Sequence, residues 1–289
     1  MPANRLIKHS VLLAIVVVVL CLFIISRGDK ANYEIQKTIR YGFLVENRTS
    51  EYIERASFRV FAPVKQNSYQ QVEDITANLP FDLEVDDYDN QSLVFQLENI
   101  APLSSRVVNI TVLLKLATSS QRVISEDVER YLLPEKNIES DSPEVKLVAQ
   151  NIKSKGEGVA AISNWLGKNI VDVGYVAEDR GALYAITNRK GDCTEFSTAF
   201  VALARASQIP SRVVGGFVLE QSGRLQAENY HNWSEFKRDG KWNIADPQNN
   251  IVDSGYGLYV AFYNFNKHSR MSNSHRFLSY DSRLSVQML

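Results

Sequence analysis

Three side chains of the types needed for nucleophilic catalysis follow one another along the chain: Cys193, His231 and Asp246. In such chemistry a thiolate attacks a carbonyl carbon, an imidazole accepts and returns a proton, and a carboxylate orients the imidazole. Taken singly, each residue has an ordinary structural explanation, and a lone cysteine is more often buried and inert. The combination predicts thiol acyl transfer if the fold brings the three side chains together.

The sequence around Cys193 predicts that this residue begins a buried helix. Gly191-Asp192 is a turn and N-cap signal, and apolar residues recur at three- and four-residue steps from Phe196 to Ile209. A helix N-terminus carries partial positive charge and free N–H groups, which lower the pKa of a thiol and favour the thiolate. Cys193 is therefore the predicted nucleophile.

A hairpin predicted after this helix brings His231 and Asp246 within reach of each other. Asp239-Gly240 lies between two strand-like runs, which is the strongest short hairpin signal. With a two-residue turn there, Trp233 lies opposite Asp246, and His231 is its diagonal neighbour on the same face. Diagonal neighbours are roughly 7–8 Å apart at the backbone, a separation that a His–Asp hydrogen bond can span. A bulge in either strand would change this register.

The other three histidines are weaker candidates. His268 and His275 fall in a polar C-terminal stretch and are expected at the surface, and His9 lies at the edge of an apolar run. No CxxC, HxH or HExxH spacing occurs, so neither a metal nor another cofactor is expected. The formal net charge is −1 and basic clusters are absent, so nucleic-acid binding is not expected.

An unbroken apolar run, Val11–Ile25, sets the N-terminus apart. With its flanks, about residues 10–26, it is near the short limit of roughly 17 residues for a spanning helix. Basic residues precede it and no convincing cleavage signal follows, so a retained signal anchor is favoured over a removed signal peptide. Cys21 lies in this run, which leaves Cys193 as the only thiol of the exported part, without a disulfide partner there. We expect a single-pass protein of the cytoplasmic membrane with its bulk on the periplasmic side.

The pattern divides the chain into an N-terminal segment with the anchor, 1–31, and three further parts. Residues 32–120 alternate in short runs between turn formers, which is typical of an all-β sandwich-like domain without chemistry of its own. A linker, 121–143, ends in the helix start Ser142-Pro143. Residues 144–289 have helical patterns first and strand patterns afterwards, which indicates an α+β catalytic domain.

Three ordered motifs resemble those of the transglutaminase-like superfamily, whose core is papain-like. They are Gly191-Asp192-Cys193 with the helix leading into Ala202–Phe217, then His231-Asn232-Trp233, and then Ala245-Asp246-Pro247. The similarity covers about residues 135–255, and the C-terminal tail is expected to complete the sheet. The resemblance implies a cysteine-bearing helix packed on an antiparallel sheet, with Cys193 as nucleophile, His231 as base and acid, and Asp246 as orienting group. Members often have a small residue at the position of Asn232, and this departure is expected to alter substrate fit.

The expected function is that of a membrane-anchored, cysteine-dependent acyl-transfer enzyme acting on peptide or side-chain amides through a thioester. Hydrolysis by a protease or amidase and transamidation share every step up to the acceptor, so both stay open. The alternative from another class is a catalytically silent domain that binds a peptide or cell-wall partner in the same groove. The expected partner is a protein or peptide substrate of the cell envelope. The oligomeric state is left open.

Overall fold

The computed structural model of the protein describes residues 32–122, 128–156, 158–265 and 276–289. Tyr33–Leu289 forms one compact unit. In the part of the chain that is described, no helix is long and apolar enough to cross a membrane. The span predicted at about residues 10–26 lies outside the described residues, as do His268 and His275.

The alternating N-terminal region forms two sheets that share one core. Its strands are β1 (Ile35–Asn47), β2 (Ile53–Ala62), β3 (Gln70–Ala77), β4 (Asp82–Val85), β5 (Gln91–Ile100) and β6 (Ser105–Leu116). One sheet contains β1, β6 and β3, and the other contains β2, β5 and β4. Because successive side chains point to opposite faces of a strand, alternate residues such as Tyr41 and Phe43 of β1 enter the shared core with Phe58 and Phe95 of the other sheet. The strand pattern predicted in this region is therefore present as a sheet-on-sheet arrangement.

The region that follows these strands places its helices before its main strands. The helices are α1 (Pro143–Lys153), α2 (Gly158–Asn169), α3 (Gly181–Asn188) and α4 (Cys193–Ala206), with short 3-10 turns at Glu129–Leu132 and Ala227–Asn229. The strands are β7 (Val171–Asp172), β8 (Lys190–Gly191), β9 (Ser211–Val218), β10 (Gly223–Arg224), β11 (Tyr230–Arg238), β12 (Lys241–Asp246), β13 (Ile251–Val252), β14 (Tyr259–Asn264), β15 (Phe277–Ser279) and β16 (Leu284–Met288). The sequence pattern gave no separate prediction for α3.

Helix α4 is the centre of this region. It shares a second core with the buried faces of α1, α2 and α3 and with Val213, Phe236 and Ala245 of the neighbouring sheet. That sheet has the strand order β13-β12-β11-β9-β14, and every neighbouring pair is antiparallel. The predicted α+β class, with a cysteine-bearing helix packed on an antiparallel sheet, is confirmed. Strands β11 and β12 form the predicted hairpin that carries His231 and Asp246. Both lie inside the sheet rather than at its edge.

The hairpin of β11 and β12 has the register that the Asp-Gly turn predicts. Arg238 pairs with Lys241 and Ser234 pairs with Ala245. The turn residues Asp239 and Gly240 both have positive φ, 54° and 75°, as a two-residue type I′ turn requires. The register of the two strands is therefore set by local turn chemistry.

The C-terminal tail differs in part from the expectation that it completes the catalytic sheet. Strand β14 does add to that sheet, beside β9. The last two strands instead join the N-terminal sheets, where β15 pairs with β2 and β16 pairs with β1. The reason lies in the length of β1, whose outer edge is covered by β10 only at Ile39 and Arg40. Strand β16 provides hydrogen-bond partners to the remaining edge from Phe43 to Asn47, which would otherwise present unpaired backbone groups.

Candidate active site

Cys193 is the first residue of α4, and a reciprocal cap fixes the turn in which it lies. The Asp192 carboxylate accepts the Thr194 N–H at 2.8 Å, while the Glu195 carboxylate accepts the Asp192 N–H at 3.2 Å. Such a capping box satisfies two N–H groups that a helix start otherwise leaves without partners. The sequence signal of a capping box is the Asp-x-x-Glu spacing. The prediction from the sequence named only the N-cap at Asp192, and the structure adds the bond from Glu195. The cap holds the cysteine backbone in one geometry.

Glu195 and Asp192 also fasten the segment before α3 to the start of α4. Glu195 is fully buried, accepts the Arg180 N–H at 2.9 Å and pairs with the Arg180 guanidinium at 2.7 Å. The Val176 N–H donates to Asp192 at 2.9 Å. Burial raises the pKa of Asp192, and its hydrogen bonds to backbone N–H groups oppose that rise. The segment that contains Val176 and Arg180 is therefore tied to the helix cap.

His231 and Asp246 meet across the hairpin. The His231 Nε2 lies 2.7 Å from the Asp246 Oδ2. The His231 side chain keeps 16% exposure, whereas the Asp246 side chain keeps 1%. Burial works to raise the pKa of Asp246, but hydrogen bonds, foremost from His231, hold it below its usual value. Asp246 is thus an anion in a position to orient the imidazole.

Two side chains that the sequence did not single out complete the surroundings of Asp246. The Asn249 side-chain amide donates to Asp246 Oδ2 at 2.8 Å, and the Tyr259 hydroxyl donates to the same oxygen at 2.9 Å. Burial, followed by the charge of Asp246, raises the pKa of Tyr259, so this hydroxyl stays protonated and donates. Tyr259 comes from β14 on the far side of β9, and no short-range sequence pattern connects it with Asp246. Asn249 lies in the turn after β12, where its own N–H also contacts Asp246.

The Cys193 side chain is partly exposed and lies near enough to His231 to affect the pKa of the imidazole. Burial works to lower the pKa of His231, but hydrogen bonds and charge interactions with Asp246 and Cys193 outweigh it and raise the pKa to about 9. Because Nε2 faces Asp246, Nδ1 is the ring nitrogen left for the cysteine. The structure therefore brings the three predicted residues together, in the order cysteine, histidine, aspartate.

The backbone of β9 opposite His231 is closely packed. The Trp233 ring is fully buried and lies nearly parallel to the imidazole, with the ring centroids 6.5 Å apart. Gly216 pairs with His231 in β9, and a Cβ there would lie 2.1 Å from the Val260 carbonyl oxygen and 2.9 Å from the Trp233 ring. A side chain at this position would displace the floor of the site, so the close approach requires glycine. In the described part of the chain, no group of His, Cys, Asp or Glu side chains is arranged to hold a metal ion.

Comparison with known proteins identifies the kind of domain in which these residues lie. Residues 146–247 match the transglutaminase-like superfamily, and the matched region includes Cys193, His231 and Asp246. The chain therefore contains a transglutaminase-like domain, which confirms the resemblance drawn from the three motifs. A search of curated proteins finds no match.

Two solved structures are similar to the chain at low sequence identity. One, from Cytophaga hutchinsonii, bears the name "Putative Cysteine Protease"; it has 16% identity and a TM-score of 0.58, covering 88% of this chain and 92% of that one. The other is the periplasmic domain of TgpA from Pseudomonas aeruginosa, with 14% identity and a TM-score of 0.38, covering 77% of this chain and 90% of that one. The first likeness shows a shared fold over most of the chain, and the second is too weak to carry an argument.

Proposed function

We propose that the protein is a cysteine-dependent acyl-transfer enzyme in which Cys193 is the nucleophile, His231 the acid and base, and Asp246 the orienting group. One observation carries the proposal: His231 Nε2 lies 2.7 Å from Asp246 Oδ2, and interactions with Asp246 and Cys193 raise the pKa of this partly exposed histidine to about 9. An inert structural cysteine needs no such partner. Perturbed titratable groups that converge beside a nucleophile are typical of catalytic sites.

In the proposed mechanism the thiol proton moves to His231 Nδ1, and the Cys193 thiolate attacks an amide carbonyl carbon. The resulting tetrahedral intermediate collapses when the imidazolium donates its proton to the leaving amine, which breaks the carbon–nitrogen bond and leaves a thioester. Water or a second amine then attacks the thioester and gives its proton to His231. The carbon–sulfur bond breaks, His231 returns the proton to the Cys193 sulfur, and the product is an acid or a new amide. Asp246 stabilises the imidazolium in each half of the cycle.

The position of His231 supports an amide rather than only an activated ester as the acyl donor. An amine is a poor leaving group unless it is protonated as the bond breaks, and His231, oriented by Asp246 at 2.7 Å, can return to it the proton taken from the thiol. Peptide bonds and side-chain amides both meet this description. Hydrolysis and transamidation differ only in the acceptor. To distinguish them, a trapped acyl-enzyme is incubated with and without a primary amine, and the product is identified as an acid or an amide.

Alkylation of Cys193 tests the nucleophile. The full-length chain in detergent is treated with iodoacetamide at about pH 6, and mass spectrometry of the peptide containing Cys193 excludes any contribution from Cys21. We expect alkylation about ten- to a hundredfold faster than that of a cysteine in an unfolded peptide, and a return to the peptide rate in His231→Ala. A wild-type rate equal to the peptide rate would contradict the proposal and favour the silent binding domain.

We further propose that the catalytic domain lies on the periplasmic side, held by the apolar segment at about residues 10–26, and acts on cell-envelope proteins or peptides. The support is the uninterrupted run Val11–Ile25 with basic residues before it. In cells with a permeabilised outer barrier, added protease should degrade the domain. Recovery of a soluble form without the apolar segment would disprove the anchor, and complete protection from protease would disprove the orientation.

A further inference from the structure

A buried hydrogen bond connects the two chain segments that carry the nucleophile and the base. The Asn232 side-chain amide donates to the Thr194 hydroxyl oxygen at 2.9 Å. Asn232 is 2% exposed and Thr194 is 7% exposed. Asn232 follows His231 in the chain, and Thr194 follows Cys193, so the bond joins the immediate neighbours of both reacting side chains.

Both ends of this bond lie on rigid backbone. The Thr194 N–H is held by the Asp192 carboxylate in the first turn of α4, and Asn232 lies in β11, paired with Gly215 of β9. The bond therefore sets the spacing between a helix start and a strand rather than ordering a loop. A small change in that spacing would move the Cys193 thiol relative to His231, and acyl transfer is sensitive to such displacements.

The bond comes with a structural disadvantage. Within the described part of the chain, the Asn232 side-chain oxygen is buried without a hydrogen-bond partner, which destabilises a fold. The backbone also makes room for this side chain: a Cβ at Gly215 would lie 2.9 Å from the Asn232 oxygen and 1.9 Å from the Tyr230 hydroxyl. A small residue, often present at this position in the resembling family, would avoid that burial. Stability alone therefore does not explain the asparagine.

We propose that Asn232 is a positioning residue, whose bond to Thr194 fixes the separation of the Cys193 thiol and the His231 imidazole. The proposal rests on the catalytic roles proposed above. It assigns Asn232, the position at which the motif departs from the superfamily pattern, to the alignment of the site instead of to substrate fit.

A second bond between the same two elements provides a matched control. The Ser234 hydroxyl donates to the Ser197 carbonyl oxygen at 3.1 Å, one helical turn further along α4, and Ser234 is fully buried. Ser234 touches neither His231 nor Cys193 through a hydrogen bond that the structure shows. Ser234→Ala removes a strand–helix bond of the same kind away from the reacting groups.

The test measures the pH dependence of iodoacetamide alkylation at Cys193, with melting temperature as the stability readout. Asn232→Ala and Thr194→Val should each slow alkylation about tenfold near pH 6, with little change near pH 10, where most thiols are ionised. The double variant should be no slower than either single variant, because one bond is lost in all three. Thr194→Ser keeps the hydroxyl and should retain the wild-type profile. Ser234→Ala should lower the melting temperature without changing the profile.

The outcomes distinguish a failure of the proposed enzymatic function from a failure of the positioning role of Asn232. A wild-type profile like that of a free thiol would overturn the proposed function and, with it, this inference. A fast wild-type reaction that Thr194→Val leaves unchanged would overturn the positioning role alone, as would an equal loss in Ser234→Ala. If Asn232→Ala fails to fold, the pair Thr194→Val and Thr194→Ser decides the question, since valine has nearly the shape of threonine.

Discussion

Strand β11 contributes one residue to each of two charge pairs, and the two pairs differ in their exposure to solvent and in the chemistry open to them. His231 pairs with Asp246 at 2.7 Å, and Glu235, four residues further on, pairs with Arg212 at 2.8 Å. The His231 side chain keeps 16% exposure, whereas Glu235 and Arg212 keep 0% and 3%. The first pair lies beside Cys193, and the second is closed off from solvent.

The Glu235 pair is embedded in aromatic and hydroxyl contacts. The Tyr69 hydroxyl donates to the Glu235 carboxylate at 2.5 Å, and burial followed by the Glu235 charge raises the pKa of that tyrosine. The Arg212 guanidinium lies over the Trp242 ring, 4.3 Å from its centroid. Because Tyr69 immediately precedes β3, this network links the N-terminal sheets to the transglutaminase-like sheet.

The comparison shows that a buried charge pair is not in itself a catalytic signal. An arginine keeps its proton throughout the physiological range, so the Glu235 pair has no proton to exchange. A histidine can exchange one, and its partial exposure beside a thiol gives a substrate access to it. Strand β11 thus contributes to a structural ion pair with β9 near one end and to a candidate acid–base pair with β12 near the other.

The largest expected effect is the loss of turnover at the His231 end. His231→Ala should remove nearly all turnover of a peptide amide acyl donor, while circular dichroism shows a retained fold. Asp246→Ala should cost about 10²–10⁴-fold, since an orienting group can be partly bypassed. The Cys193→Ala/His231→Ala variant should lose no more than either single variant. A double loss equal to the product of the single losses would show that the two residues act independently.

The next largest effect is on stability and belongs to the Glu235 end. Arg212→Met leaves Glu235 buried without its cation and should cost about 3–5 kcal/mol in the free energy of unfolding, measured with urea. Arg212→Met/Glu235→Gln should recover most of that loss, because no uncompensated charge remains. Below its melting temperature the single variant should keep the fast alkylation of Cys193. Lost alkylation in a folded Arg212→Met protein would mean that the two ends are not separate in function.

The two ends should also differ in the pH dependence of stability. The folded pKa of His231 is about 9, above its ordinary value of 6.5, so the folded state binds this proton more tightly than the unfolded chain. Its contribution, at most about 3 kcal/mol, is fully present below about pH 6.5 and is lost as the pH rises through about 9. Urea unfolding at both ends of this window should show a smaller decrease in His231→Gln than in the wild type. An equal decrease in both proteins would assign the pH dependence to other groups.

The smallest effect is expected from Tyr259→Phe. The change removes the hydroxyl bond to Asp246 and keeps the ring, whose centroid lies 5.0 Å from that of Trp233. The loss of one hydrogen bond to a carboxylate should slow turnover by about three- to tenfold and raise the pKa of Asp246. The acidic limb of the pH–rate profile should then move to higher pH, which a purely structural role of the hydroxyl would not produce.

Much of the site could be predicted from the sequence because its signals are local. The start of α4 at Cys193 follows from a cap and the helical period after it, and the register of β11 and β12 follows from Asp239-Gly240. These two local features predict a cysteine at a helix start and a pairing of His231 with Asp246, and the resemblance of the three ordered motifs to the superfamily implied that all three residues share one site. The order of the three motifs further identified the transglutaminase-like superfamily.

The rest was decided only by the tertiary structure, because its partners come from distant parts of the chain. Tyr259 reaches Asp246 across β9, Arg212 meets Glu235 between neighbouring strands, and β16 returns to β1 at the other end of the molecule. The same holds for the bond between Asn232 and Thr194. A turn or a cap depends on a few consecutive residues, whereas these contacts depend on how whole sheets and helices pack. The sequence by itself therefore determined which residues could react, and the packing determined how they are held.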